Sequence, residues 1–349
     1  MVNAVINLSL PPKQRCLTAF FSSQFVFIKV VLWAPMTTIF LSLRGSGLKA
    51  YAYLGTLLLG QGKILQAAHV YKNALSSTVS SRTAWSRDLR AEHDYIVNHE
   101  YRFVYCPIPK VACSSLKRVM VELYSLRNTE EILRLPNDLF HTYVHHNLSL
   151  SSCGEDEALS FLRTTNYFKF AFVRNPWSRL VSAYLNKFVE APSFQKNTFI
   201  PDNAREVIAA YYQDKGLQPN FQKMITFRQF LDYVSKTPDD LLDGHWKPQY
   251  LFLSDYAFDF IGRLENLADD FETLREKLNL PVSIPWSNKT SSKRSTDDSQ
   301  QSENLSDFYP AEIIALTSVP KYQQFYTSDL IDLVRSRYEE DIKRFGYRF

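Results

Sequence analysis

The chain has 349 residues, 45% hydrophobic and 14% aromatic, enough for one large globular domain plus an extension. Its formal net charge of +4 excludes the broad basic footprint of a nucleic-acid-binding protein, while a modest basic excess suits a site for a multiply charged anion. The four cysteines, Cys16, Cys106, Cys113 and Cys153, form no Cys-x-x-Cys pair, so no zinc site is suggested.

Residues 17–43 are strongly apolar, and their length would span a bilayer. Lys29 lies inside the stretch and opposes insertion by roughly 3 kcal/mol; Pro35 interrupts it. The segment reads as a membrane anchor or as a buried or poorly ordered apolar leader. In residues 48–81, Tyr51, Leu54, Gly55, Leu58, Ala67, Tyr71 and Ala74 fall on the pattern positions of a helical repeat. The stretch resembles one tetratricopeptide repeat; an ordinary helical hairpin is the alternative. A lone repeat cannot bury its apolar face, so it calls for a neighbour or a protein partner. Residues 82–94 are polar and read as a linker, and one large domain is expected over 95–349.

Within that domain Phe103 to Tyr105 reads as a short buried strand. Pro107 and Pro109 then forbid regular pairing or helix. From Ser114 a helix is predicted, with Leu116, Val119, Met120 and Leu123 on one face. A strand, a tight loop and a helix N-terminus can build an anion site, because free N–H groups and the positive helix end converge there. Lys110 adds a full charge, and Ser114 and Ser115 add hydroxyls. A plain strand–helix corner is the alternative, since the Walker glycines are absent. His141, His145 and His146 follow the helix. Tyr167 to Val173 reads as a second buried strand, with Arg174 at its end, Asn175 as N-cap and Pro176 at the first helical position. Ser178 and Ser182 share a helix face. Arg179 is expected in a surface or ion-pair contact, and Trp177 and Tyr184 in the core. Further helices are predicted over 207–213, 227–234 and 267–278, a mobile loop over 288–306, and a long closing helix over 328–345.

The run Pro109-Lys110-Val111-Ala112-Cys113-Ser114-Ser115 is similar to the 5′-phosphosulfate-binding motif of sulfotransferases. Arg174 followed eight residues later by Ser182 is similar to their 3′-phosphate-binding motif. With His245-Trp246-Lys247-Pro248-Gln249 and Phe260-Ile261-Gly262-Arg263-Leu264-Glu265, the chain from about Tyr101 to Phe349 resembles the carbohydrate sulfotransferases, the branch that includes chondroitin 4-O- and HNK-1-type enzymes. The resemblance implies a P-loop-like three-layer α/β fold with a central parallel sheet, here preceded by a helical N-terminal extension. It implies sulfonate transfer from 3′-phosphoadenosine-5′-phosphosulfate (PAPS), without a metal, to a hydroxyl of a carbohydrate acceptor. Lys110 would then meet the leaving-group charge, residues 109–115 the 5′-phosphosulfate, and Arg174 and Ser182 the 3′-phosphate. Arg263 would approach the nucleotide or form a strand-end salt bridge.

For the base, relatives place a His five residues before a Leu between the two phosphate motifs, and His145 with Leu150 fits that spacing best. His141, His146 and His245 are the other candidates. Two further readings are an NTP-using P-loop enzyme, which lacks its glycines here, and a nucleotide-binding scaffold, which would not need Lys110, Arg174 and Ser182 intact. Golgi relatives usually carry further cysteines after the His-Trp motif, and residues 250–255 have none. That favours a domain facing the cytoplasm, with the Golgi membrane as the alternative.

Overall fold

A computed structural model describes residues 94–124, 126, 128–153, 155–190, 200–253, 256–284, 303–316 and 320–349, and the backbone alone of 17–21, 26–32 and 37–43. The repeat-like hairpin over 48–81, nearly all of the linker and most of the 288–306 loop lie outside these residues. The chain falls into two compact units, Met1–Tyr105 with Leu116–Phe168 and Leu278–Val282, and Cys106–Ser115 with Lys169–Lys277 and Ser283–Phe349.

In the first unit the apolar leader is β-structure, while the helical extension expected over 48–81 lies outside the described residues. Strands β1 (Leu17–Phe21), β2 (Val26–Leu32) and β3 (Thr37–Leu43) pair as an antiparallel meander, with Lys29 opposite Thr18 on one side and Phe40 on the other. The sequence accounts for this: Val26, Phe27, Ile28, Val30 and Val31 are β-branched or aromatic, residues that favour strand over helix. Among the described residues no helix is long and apolar enough to cross a membrane.

The rest of this unit holds β4 (Ile96–Asn98) antiparallel to β5 (Phe103–Cys106), then most of α1 (Cys113–Leu123), α2 (Thr129–Leu133), α3 (Asn137–Leu148) and α4 (Glu155–Arg163). Phe103, Val104 and Tyr105 are buried, as are Leu116, Val119, Met120 and Leu123, the face expected of α1. Arg118 covers the Phe140 ring with its guanidinium 4.4 Å from the ring centre.

In the second unit β6 (Phe168–Val173) leads into α5 (Pro176–Tyr184), which continues as a wider, π-type turn over Leu185–Glu190. Then come α6 (Asp202–Asp214), α7 (Phe227–Lys236), β7 (Phe260–Arg263), α8 (Leu267–Leu278), α9 (Pro310–Ile314), α10 (Ser328–Arg337) and α11 (Glu339–Phe345). Strands β6 and β7 are parallel, so the two described pairs of this domain are of mixed sense rather than all parallel. Thr226 and Gln229 close a reciprocal cap on α7. Trp177 and Tyr184 are core residues, as expected.

The closing helix is broken. At Tyr338 the backbone leaves the helical region (φ −114°, ψ 29°), and α10 and α11 part there. No proline or glycine causes the break; Tyr338 is fully buried with its hydroxyl on the Trp246 carbonyl. Close packing also sets Gly262. It faces Phe172 across the parallel pair, and a Cβ there would lie 2.4 Å from Phe172 Cε1. Gly262→Ala is therefore expected to destabilise the protein by roughly 1–3 kcal/mol, read as a lowered denaturant midpoint at unchanged slope. An unchanged midpoint would mean that Phe172 moves aside freely.

Candidate active site

The second unit brings the lysine loop, the start of α5 and the His245 segment together. The loop runs from β5 to α1, and within it Lys110 (φ 68°) and Ala112 (φ 48°) are left-handed although neither is glycine. Each such residue costs of order 1–3 kcal/mol and persists only where its surroundings hold it. Two guanidiniums do so: Arg179 Nε donates to the Pro109 carbonyl at 3.0 Å, and Arg174 Nη1 to the Lys110 carbonyl at 3.1 Å. In a planar trans peptide the N–H points opposite the C=O, so pinning these carbonyls fixes where the next N–H groups aim. Such a run of oriented N–H groups is a concavity for an anion. Ser114 is partly exposed and Ser115 buried at the start of α1.

The Lys110 ammonium is held at about 8; burial is the main cause, with the Arg174 charge adding to it and Cys113 opposing. Loading an anion beside it would relieve that penalty. Arg174 is lowered to about 10, again mainly by burial, with Glu265 opposing, so it stays charged at neutral pH.

Arg174 is placed by a chain of contacts. Its backbone N–H donates to Gln249 Oε1 at 2.9 Å, and Gln249 Nε2 donates to its carbonyl at 2.7 Å. Gln249 is fully buried, and its own N–H and that of Tyr250 each reach the Asp341 carboxylate on α11 at 2.8 Å. Asn175 caps α5 as expected, accepting from the Ser178 N–H at 3.3 Å. It also donates to the Arg348 carbonyl at 2.8 Å, while its N–H meets Glu265 at 2.7 Å. Two of the five Arg174 donors are taken, Nε by Ser178 Oγ at 3.0 Å and Nη1 by the loop. Ser182 lies two turns along α5, half-buried.

His245 carries the second feature. Asp243 Oδ1 lies 2.6 Å from its Nδ1 and accepts its backbone N–H at 2.8 Å. Burial would raise Asp243, but these bonds and one from Asn203 outweigh it and hold the carboxyl at about 2. The imidazole sits below its ordinary value, chiefly through burial and further through the Lys187 and Lys110 charges, with Asp243 opposing. A carboxylate on Nδ1 leaves Nε2 as the basic nitrogen.

His145 lies in the first unit, with Asp94 Oδ1 2.5 Å from its Nδ1. His141 faces Lys117 at 3.4 Å in that same unit. Arg263 donates to the Phe345 carbonyl at 2.7 Å and covers the Tyr347 ring.

Sequence reasoning gave no site role to five members of this arrangement. Arg179 was expected at a surface or ion-pair contact and is instead fully buried on backbone carbonyls. Gln249 stood in the His-Trp motif without an assigned role, and Asp341, 92 residues from it, carried no local signal. Asp243, two residues before His245, was visible as a spacing. Lys187 belongs to the π turn, a helix irregularity frequent at functional sites.

A family model described as the Sulfotransferase family matches residues 93–348. Among curated proteins the chain is 34% identical over 192 residues to carbohydrate sulfotransferase 14 of Danio rerio, covering 54% of this chain and 49% of that protein. It is 34% identical over 193 residues to the Homo sapiens protein of the same name, with 54% and 47% covered. It is 26% identical over 283 residues to carbohydrate sulfotransferase 11 of Danio rerio, covering 76% and 78%. The chain thus spans about half the length of the first two of these relatives. No solved structure matches.

Proposed function

The chain belongs to the sulfotransferase family, and from that premise we propose that it moves a sulfonate group from PAPS to a hydroxyl of a carbohydrate. The observation that carries the reading is the loop around Lys110, in which Lys110 and Ala112 are left-handed without being glycine and two arginines pin the carbonyls of Pro109 and Lys110. The likeness to carbohydrate sulfotransferases supports the acceptor class. The location that goes with this proposal is the Golgi membrane rather than a cytoplasm-facing one.

In the proposed reaction the bond from sulfur to the acceptor oxygen forms as the bond from sulfur to the phosphate oxygen breaks. Lys110 and the backbone N–H groups of residues 110–115 meet the charge that grows on the leaving phosphate. Arg174 and Ser182 hold the 3′-phosphate, and Arg263 flanks the nucleotide. The acceptor proton passes to a histidine. His245 is the favoured base, because Asp243 orients it and Lys110 shares its electrostatic neighbourhood. His145, which also has a carboxylate on Nδ1, is the second reading.

Arg174 tests the donor site. Arg174→Ala should weaken binding of the product 3′-phosphoadenosine 5′-phosphate by roughly 10- to 100-fold, through the loss of a charge-assisted contact and of the loop's support. Calorimetry on folded protein measures it. Unchanged affinity would remove Arg174 from the site, and no labelled sulfonate transfer from PAPS to any of a panel of glycans by the wild type would remove the reading.

A further inference from the structure

We propose that Arg179 is a positioning residue that holds the Lys110 loop and the His245 segment in one register, an inference that rests on the sulfotransferase reading. Its side chain is 1% exposed and is spent on three backbone carbonyls. Nε donates to Pro109, next to Lys110, at 3.0 Å. Nη2 donates to Gly244 at 2.8 Å and Nη1 to Lys247 at 2.7 Å, one on each side of His245 and Trp246. The two segments also meet directly, since a Cβ built on Gly244 would lie 3.6 Å from Pro109 Cγ and 3.5 Å from Phe252 Cζ.

The guanidinium thus sits behind both reactive groups and touches neither. A full charge at this depth is costly unless its donors are satisfied. Asp341 and Asp243 offset it electrostatically, and Asp243 is the carboxylate that orients His245. One cation therefore sets the carbonyl before the lysine, the carbonyl before the histidine and part of the field on its partner. Lysine cannot substitute: its ammonium is a point charge with tetrahedral donors, whereas the three carbonyls need a planar fork.

Arg179→Lys is the deciding variant, with Arg179→Ala beside it. Fold is checked by near-ultraviolet circular dichroism. The wild type is first assayed for transfer from PAPS: an inactive wild type overturns the sulfotransferase reading and the positioning proposal with it, whereas an active one lets the variants overturn the proposal alone. With an active wild type, Arg179→Lys is expected to lower kcat about 100-fold, the scale of a misplaced reacting group. Affinity for 3′-phosphoadenosine 5′-phosphate should change less than about 5-fold, and added guanidinium chloride at millimolar level should restore part of the kcat of Arg179→Ala. A role in folding alone would not give that split or that rescue. A folded Arg179→Lys protein with kcat near wild type overturns the proposal. So does failure of both variants to fold, which would make the residue structural.

Discussion

Lys110→Ala is expected to lower kcat by roughly 10²- to 10³-fold with a smaller effect on KM, because its charge is needed most as the leaving phosphate develops. The same lysine sets an alkaline limit. Held at about 8 by burial, it loses its proton as pH rises through that value in the free enzyme. The kcat/KM profile, which reports the free enzyme, should therefore fall above about pH 8. The bound donor is a polyanion and raises the lysine again, so the corresponding limb of kcat should lie at higher pH. Lys110→Ala should abolish both limbs. If kcat holds and only KM rises, the lysine binds without stabilising the transition state.

The second large effect is expected at His245. His245→Ala should cut kcat by roughly 10²- to 10⁴-fold while product affinity stays close to wild type. Burial lowers the imidazole, so its basic, neutral form persists to lower pH than usual. The acidic limb of kcat/KM should accordingly lie below the ordinary imidazole value of about 6.5 and vanish in the variant. Asp243→Asn should weaken the same limb by releasing Nδ1. His145→Ala is the counter-experiment. Should it abolish activity in a folded protein while His245→Ala keeps it, the base is His145 with Asp94, and the Asp243–His245 pair serves the fold.

What could be read from the sequence was what lies close along the chain. Asn175 and Pro176 announce a helix start within four residues of Arg174, and the cap is there. The face of α1 was visible as a helical period and is buried. The loop between β5 and α1 was visible from Pro107, Pro109 and Lys110, but its left-handed residues were not, because lysine and alanine give no sign of positive φ. Arg179 was misjudged because a charged residue defaults to the surface, and its acceptors lie 65 to 70 residues away. The apolar leader was weighed by its length and by Lys29 and Pro35 within it. Its β-branched run decided for strands, which a count of apolar residues does not register.

The contacts that place Arg174 also bear on when the protein becomes competent. Arg174 to Gln249 spans 75 residues, Gln249 to Asp341 spans 92, and Asn175 to Arg348 spans 173. Joining positions so far apart carries an entropy cost that no local helix or turn repays in advance, so such contacts form late. On the ribosome, β6 and α5 can take shape as soon as they leave the exit tunnel. The clamp on the arginine must wait until Asp341 and then Arg348 emerge. If Arg174 holds the donor nucleotide as proposed, a growing chain carries the residues of that pocket long before it can grip its ligand, and nucleotide binding would discriminate between a finished molecule and one still being made.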